Sequence, residues 1–586
     1  MIKIVHLIKT NMIRMKNQIL ILTLFLLTGL TVLAQDIPQH ISYTKIYDFL
    51  DEMASEKLIE LNSAVKPYSR AFIADKLLEI EQQKSTLNKR QQDELYFFMA
   101  EFALERNSLP DYDLPLLERD NIRIDLLPPV FTYRDTLFRA RIQPLLGMNV
   151  YKNNKGTITQ RWYGVDFQSA IGKNISVYGS LRDISFSGFG NARLSDSTYL
   201  TPFAGYQYKE PSDYSDSRGG IKYATKWGSI GLVKDNISWG DNNHGSNILS
   251  GRAPSFPMLT LNIKPVSWFE LNYIHGWLVS NVRDSANYYI DSANKIFYRN
   301  HNKFIAANMI TITPFRHFNF SLGNSIIYAE NNIHPGYLIP IAFYKSIDHT
   351  LTKGIGTENE NSQMFLNISS RNIKHLHLFA SIYVDEFNTA RLKPANKETN
   401  PVSIKVGGKL TNFPIDNLSL SGEYTRNNII VYKHSIDVLT WQSNSYNLGH
   451  YLGDNSQEIY ISLGYKPIRS LEVNLNYIQA KHGNDYNYIR RTQNNTNVIK
   501  NVISQPFMND VIWSNQSIEL NTLYEIFNNI YARVNIQSSN IQGFDASSTA
   551  ILGENRMTAQ QVLNKYTPAF LQGKTTTITF GLNFGF

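Results

Sequence analysis

Apolar and polar positions alternate through most of the chain after about residue 140, and this alternation predicts β-strands. In the last segment, Ile578, Phe580 and Leu582 are each separated by one small or polar residue. Successive side chains of a strand point to opposite faces, so these three apolar residues share one face. Eighteen segments of this kind can be placed between residues 141 and 586, the last of them at 574–586.

The connections between these segments alternate in length. Tight turns, such as those at 172–174, 227–228 and 467–469, follow the even-numbered strands, and polar segments of roughly 10 to 35 residues follow the others. Short turns at one end and long loops at the other are typical of outer-membrane barrels, and an even strand count leaves both chain ends in the periplasm. The pattern therefore predicts an all-β membrane protein, an 18-stranded antiparallel outer-membrane β-barrel over residues 141–586.

A helical period comes before the strands. Ile46 and Phe49 belong to a stripe with i, i+3, i+4, i+7 spacing, and similar stripes recur up to about residue 106. We predict a small N-terminal α-helical bundle of three helices over residues 35–110, on the periplasmic side of the barrel. Several prolines then mark a linker at 111–140.

The first residues have the order of a secretory signal. Lys16 precedes an apolar run, and Val32, Leu33 and Ala34 supply the small-residue end of such a signal. We predict a signal peptide over residues 1–34 and leave open whether translation begins at Met1 or at Met15. The chain has no Cys, so it has neither a cysteine for lipid attachment nor a disulfide framework.

Composition and charge narrow the possible partners. Aromatic residues make up 12% of the chain, as expected for the aromatic girdles of a barrel. The helical region is acidic and the barrel region basic, within a formal net charge of +8. The basic residues are dispersed among Tyr, Asn and Ser, which argues against nucleic acid. An anionic surface glycan or lipopolysaccharide is a compatible partner, and so is an ordinary solvated surface.

Several short segments together resemble one family. Residues 47–50, 66–70, 239–240, 247–257 and 275–280 are similar to the capsule assembly Wzi family in its Bacteroidetes-like form. The resemblance implies an eighteen-stranded outer-membrane barrel with a periplasmic helical bundle. It also implies that the outward loops help to hold capsular polysaccharide at the surface of a Gram-negative bacterium, next to outer-membrane lipid and lipopolysaccharide. Periplasmic partners of the helical domain are left open.

A search for catalytic chemistry gives little. His375 and His377 share a strand face and, with a carboxylate such as Asp385, form a possible metal site, but no third ligand stands at a telling spacing. There is no Gly-x-Ser-x-Gly nucleophile elbow. We therefore predict no enzyme, no metal and no cofactor.

One loop has the composition of a glycan site. Trp239, Asp241, Asn242 and His244 bring an indole, a carboxylate, an amide and an imidazole together. Sugars present apolar ring faces to aromatic rings and hydroxyl groups to Asp and Asn, so we predict that these four residues bind glycan. The alternative is that the loop packs into the mouth of the barrel.

Two classes of function are compatible with the pattern. The first is a non-catalytic outer-membrane barrel for assembly and attachment of capsular or surface polysaccharide. The second is an outer-membrane channel or transporter, because a barrel of this size leaves an aqueous pore unless something fills it. Long loops such as 183–217 and 328–361 are long enough to fold inward.

Overall fold

A computed structural model describes residues 36–110, 115–189, 213–352, 360–393, 398–484, 503–546 and 557–585. The segment predicted as a signal peptide, 1–34, lies outside these residues. The described residues form a closed antiparallel barrel of eighteen strands, as predicted, preceded by a bundle of helices.

The eighteen strands are numbered in chain order. They are β1 Phe138–Asn153, β2 Gly156–Ile171, β3 Ile175–Gly188, β4 Asp213–Thr225, β5 Gly228–Asp235, β6 Phe256–Val266, β7 Phe269–Leu278, β8 Lys303–Phe315, β9 Phe318–Tyr328, β10 Glu360–Ser370, β11 Leu376–Val384, β12 Val402–Thr411, β13 Leu418–Asn427, β14 Ser456–Ile468, β15 Leu471–Gly483, β16 Val511–Phe527, β17 Ile530–Gly543 and β18 Gly573–Phe584. Each strand pairs with the next, and β18 pairs with β1 to close the barrel, with Ile578 opposite Lys152.

The alternation along the strands separates the two sides of the wall. On β18, Ile578, Phe580 and Leu582 are 38%, 57% and 52% exposed. Thr577 and Thr579, on either side of Ile578, point to the lumen and are buried. The expected assignment of apolar residues to the outer face is therefore confirmed for this strand.

The connections follow the expected alternation except at the first hairpin. A long polar loop was expected between the first two strands, but β1 and β2 are joined by a two-residue turn at Asn154 and Lys155. The Asn153 side chain accepts a hydrogen bond from the Lys155 N–H at 2.9 Å, and Gly156 takes a φ of +153°, which favours glycine. Turn residues in the middle of the polar segment thus extend both strands beyond their predicted ends.

The segment predicted as a linker contains three short strands. Pro115–Arg119, Ile122–Asp125 and Phe131–Arg134 form an antiparallel meander whose last strand pairs with the start of β1. The sequence analysis did not predict these strands within the linker of 111–140. Within the meander, Ile122 and Ile124 alternate with Arg123 and Asp125, a short strand signal in a segment rich in proline.

The helical unit, residues 36–110, contains three α-helices. They are α1 Thr44–Ser55, α2 Arg70–Glu81 and α3 Lys89–Glu101. The Ser69 side chain caps α2 by accepting from the Phe72 N–H at 3.1 Å, and Asn88 and Gln91 form a reciprocal capping box on α3. The apolar stripes of the three helices meet in one core. No helix among the described residues is long and apolar enough to cross a membrane.

Two long loops leave the barrel rim in opposite directions. Residues 236–255, which we call the luminal loop, enter the barrel, and Ile248 and Leu249 belong to the core inside it. Residues 329–352 instead turn back over the outside of the wall, where they bury outward side chains of β7–β9. The predicted loop 328–361 is long enough to fold inward, but its described part lies outside the wall. The predicted loop 183–217 falls largely outside the described residues.

Candidate functional site

The helical unit closes the end of the barrel that carries the short turns. Its acidic residues meet basic side chains near the ends of the strands. Glu101 lies 2.7 Å from Arg141 of β1, and Asp51 lies 2.5 Å from Arg371, which directly follows β10. In one further pair the charges are reversed: the basic Lys45 of the helical unit lies 3.1 Å from the acidic Glu525 of β16. These ion pairs hold the helices across the opening.

Asp51 forms contacts with Arg371, His377 and Lys409 at this end of the barrel. Burial alone would raise the pKa of its carboxyl, but the charges of Arg371, His377 and Lys409 outweigh burial and hold that pKa well below its ordinary value. Asp51 is therefore ionised at neutral pH. Because its folded-state pKa is lowered, its stabilising contribution is complete above the unfolded value of about 3.9 and is lost as the pH falls below it.

The luminal loop is joined to the helical unit by backbone hydrogen bonds. Val65 pairs with Trp239 in a two-stranded antiparallel sheet inside the barrel. The Gly240 N–H donates to the Ala64 carbonyl of the helical unit at 2.7 Å. Within the luminal loop, the Trp239 N–H donates to the Leu249 carbonyl at 2.8 Å. The helical unit and the luminal loop therefore form one continuous filling of the lumen.

The structure places Trp239 and Asp241 deep inside this filling. Trp239 is 1% exposed and meets Phe365 edge to face, with ring centroids 6.0 Å apart. Asp241 accepts a hydrogen bond from the Asn367 amide at 2.7 Å, and its own N–H donates to the Asn367 side-chain oxygen at 3.0 Å. Both predicted glycan residues are thus held by protein partners.

His244 and Asn242 are also held within the loop. His244 Nδ1 lies 2.9 Å from Glu458 Oε1, and its ring stacks on Tyr460 with centroids 4.2 Å apart. Burial would lower the pKa of His244, but the Glu458 carboxylate outweighs it and raises that pKa. The half-buried Asn242 donates to the Gly240 carbonyl at 2.8 Å. Loop packing, the alternative to direct glycan contact, thus describes this conformation.

Glu423 fastens the luminal loop to the wall. Its carboxylate accepts hydrogen bonds from the N–H groups of Asn243 and His244, the latter at 3.0 Å. It also forms an ion pair with Lys405, and both side chains are buried. The luminal loop therefore depends on a buried charge pair that the spacing of residues along the sequence does not reveal.

A second inward loop supports the first one. Residues 428–455 carry Tyr432, whose hydroxyl donates to the Asn247 carbonyl at 2.8 Å, and Trp441, whose indole donates to the Ile248 carbonyl at 3.1 Å. The sequence analysis did not single out this loop. A Trp and a Tyr in a polar loop were the available signal, because large aromatic residues need a buried surface.

A small cavity remains between the helical unit and the wall. It measures about 190 Å³, and Trp239, Tyr178, Asp235, Lys66 and Glu270 are among the residues that line it. Small-molecule sites usually span roughly 300–1,000 Å³, so this cavity is too small for a polymer chain.

An aromatic hairpin stands outside the barrel at the long-loop end. Arg283–Ile290 and Ile296–Asn300 form a two-stranded sheet of their own between β7 and β8. Tyr288 and Tyr289 are 55% and 53% exposed, and Tyr289 stacks on Phe297 with centroids 5.1 Å apart.

Each face of this hairpin carries one cation next to its aromatic rings. The Arg283 guanidinium lies 4.7 Å from the Tyr298 ring, and the Lys295 amine lies 5.0 Å from the Phe297 ring. The sequence analysis missed this group of residues.

The histidines considered for metal binding serve the helical unit instead. His375 Nδ1 lies 2.8 Å from Glu56, and His377 Nδ1 lies 3.2 Å from Asp51. Asp385 follows the opposite end of β11. Within the ranges that the structure describes, no group of three or more His, Asp or Glu side chains could hold a metal ion.

Comparison with known proteins supports the fold. No protein-family model matches the chain, and no curated protein matches it. A solved structure of Wzi from Escherichia coli, titled as an outer membrane protein involved in group 1 capsule assembly and a carbohydrate binding β-barrel, is 8% identical with a TM-score of 0.52. The match covers 94% of this chain and 100% of that one.

Two Pseudomonas aeruginosa barrels are less similar. OprD is 10% identical with a TM-score of 0.38, covering 76% of this chain and 94% of that chain. OccK8 (OprE) is 8% identical with a TM-score of 0.40, and the match covers 76% of this chain and 97% of that chain. The likeness to the Wzi structure alone shows the fold: over nearly its whole length, the chain folds similarly to that outer-membrane β-barrel.

Proposed function

We propose that this protein is a non-catalytic outer-membrane barrel that assembles and attaches surface polysaccharide. In this proposal the short-turn end and the helical unit face the periplasm, and the long loops face the outside. The observation that carries the proposal is the filled lumen, in which the helical unit and two loops are joined by hydrogen bonds. A barrel filled in this way is better suited to a surface role than to conducting solutes.

The aromatic hairpin is the outer surface that best fits a glycan. Tyr289 and Phe297 offer one aromatic face, and Tyr288 and Tyr298 offer the other, with a cation beside each. Aromatic rings can stack on the apolar faces of sugars, and Arg283 and Lys295 would favour acidic sugars. Exposed apolar patches of this kind mark interaction sites on folded proteins.

The predicted glycan residues take an indirect role in this proposal. The luminal loop is held by the side chains of Trp239, Asp241, Asn242 and His244. The second inward loop, residues 428–455, packs on the luminal loop. The base of the aromatic hairpin touches that second loop, since the Asn444 N–H donates to the Val279 carbonyl at 2.9 Å. These residues would therefore affect glycan binding through the position of the outer loops.

Replacing Tyr289 and Phe297 together with Ser should weaken binding of purified surface polysaccharide by about ten-fold. Two aromatic contacts of about 0.5–1.5 kcal/mol each add up to that order of magnitude. Binding would be measured by calorimetry on protein in detergent micelles.

In cells, deletion of the gene should release polysaccharide into the medium without stopping its synthesis.

The matched control is Tyr96→Ser. Tyr96 is 65% exposed on α3, at the opposite end of the molecule, so this variant loses an exposed ring without touching the outer loops. Equal affinities for all three proteins, together with free ion conduction by the wild type in planar bilayers, would replace this proposal with the channel function.

Placement of the wall in a bilayer makes a separate prediction for β18. Ile578→Arg, near the middle of the strand, should cost about 2–4 kcal/mol of barrel stability, and Leu582→Arg, near the short-turn end, about 0–1 kcal/mol. Urea titration in liposomes would measure both. Equal costs, or a larger cost at Leu582, would contradict this placement of the strand in the membrane.

A further inference from the structure

The chain between β9 and β10 returns along the outside of the barrel. Residues 333–349, which we call the wall segment, lie over the outer face of β7, β8 and β9. Tyr337 and Tyr344 of the segment are buried against Tyr273 and Tyr328 of the wall. The segment is a closely packed part of the fold, although it lies on the face where a barrel meets lipid.

The alternation along β9 shows that this face is the outer one. Phe320 and Leu322 are 37% and 56% exposed, and Asn324 and Tyr328 have the same parity. The neighbouring Asn319 points the other way and donates to a carbonyl of the helical unit at 3.0 Å. Asn324 and Tyr328 therefore belong to the outer face of the wall.

Beneath the wall segment the outer face is polar. The amides of Asn308 and Asn324 both donate to the Ala342 carbonyl, at 2.9 and 3.2 Å. The Tyr344 N–H donates to the Asn324 side-chain oxygen at 2.9 Å. Polar groups without hydrogen-bond partners cost several kcal/mol in hydrocarbon. Exposure of the Asn308 and Asn324 amides to lipid would therefore be unfavourable. The segment supplies the hydrogen-bond partners that lipid cannot supply.

The other side of the wall segment is apolar. Leu338, Ile339, Ile341 and Phe343 are 43%, 49%, 69% and 49% exposed. This patch continues the apolar outer face formed by residues such as Leu322 of β9. The underlying Asn324 lies in the half of its strand nearer the long loops.

We propose that the wall segment is a lipid-binding element that inserts Leu338, Ile339, Ile341 and Phe343 among the acyl chains of the outer leaflet. Continuity with the lipid-facing wall supports lipid as the occupant, because the same hydrocarbon layer that surrounds Leu322 reaches the segment. The short helix Tyr344–Thr352 follows the apolar patch and carries Lys345, Asp348 and His349. Lys345, next to the patch, can meet a phosphate headgroup. The segment thus converts a polar sector of the barrel into a membrane-facing one.

The absence of Cys from the chain allows a direct test, because Ile341→Cys creates a single thiol. This thiol would carry an environment-sensitive fluorophore in the full-length protein, reconstituted into phosphatidylcholine liposomes. The expected result is strong quenching by lipids with brominated acyl chains and little quenching by aqueous iodide. Two further single-thiol variants serve as references: Leu322→Cys on the bare wall and Ser292→Cys at the tip of the aromatic hairpin.

The references define the possible outcomes. Leu322→Cys should respond like Ile341→Cys, whereas Ser292→Cys should be quenched by iodide alone. Iodide quenching at Ile341 as strong as at Ser292 would overturn the proposal, because the patch would then face water. Resistance of the labelled protein to both quenchers, together with disulfide-linked dimers of the unlabelled Ile341→Cys protein, would also overturn it in favour of a second copy as the occupant.

Discussion

Arg90→Ala should lower the free energy of unfolding of the helical unit by about 3–5 kcal/mol, the usual cost of breaking a buried ion pair from one side. Arg90 is buried between Glu52 and Glu94, and one of its guanidinium nitrogens lies 2.9 Å from Glu52 Oε2. Although burial would raise the pKa of Glu52, the Arg90 charge lowers it to about 2. The variant loses this ion pair, and the Glu52 carboxyl group stays buried without the guanidinium. Hydrogen exchange of the α1 and α3 amides in increasing urea would measure the loss.

The neighbouring Lys89 provides the control. Its amine lies 2.7 Å from Asp93, but the Lys89 side chain is 85% exposed and that of Asp93 is 45% exposed. Exposed pairs contribute little, so Lys89→Ala should leave amide exchange close to that of the wild type. Equal losses in the two variants would mean that the buried pair does not hold the bundle together.

Glu423→Ala should turn a poorly conducting barrel into a conducting one. The change removes the acceptor for the Asn243 and His244 N–H groups and leaves the Lys405 amine buried without its partner. An uncompensated buried charge costs about 3–5 kcal/mol, which the loop can avoid by leaving the lumen. Single-channel recording in planar bilayers should then show higher conductance than the wild type.

A double variant separates the lost acceptor from a general loss of stability. Lys405→Met combined with Glu423→Gln leaves no unpaired charge and keeps a side-chain oxygen for the two loop N–H groups. This protein should conduct as little as the wild type. Wild-type conductance in Glu423→Ala would instead show that the carboxylate does not fasten the luminal loop.

The strands and helices were predictable because each has a short-range signal. A face such as that of Ile578, Phe580 and Leu582 repeats every second residue, and a cap such as Ser69 acts on its own helix. The β1–β2 turn and the short strands before β1 were missed, although their signals are also local. Prolines and polar residues at those positions are equally compatible with loops.

The directions taken by the long loops could not be predicted in the same way. The luminal loop folds inward because it forms hydrogen bonds with Glu423, Asn367 and Glu458, which lie on strands distant in sequence. The wall segment folds outward because Asn308 and Asn324 face that side. These partners lie tens to hundreds of residues from the loops, and no spacing along the chain records them.

The pairing of β18 with β1 has a consequence for assembly. Its two partners, such as Ile578 and Lys152, lie at opposite ends of the barrel sequence, so this seam can close only after every intervening strand has been made. Contacts between such distant residues form slowly. Until then, residues 146–152 of β1 and the outer edge of the last strand made carry unpaired backbone groups, which invite pairing with other chains. Assembly without such mispairing therefore requires that these edges stay shielded until the seam closes.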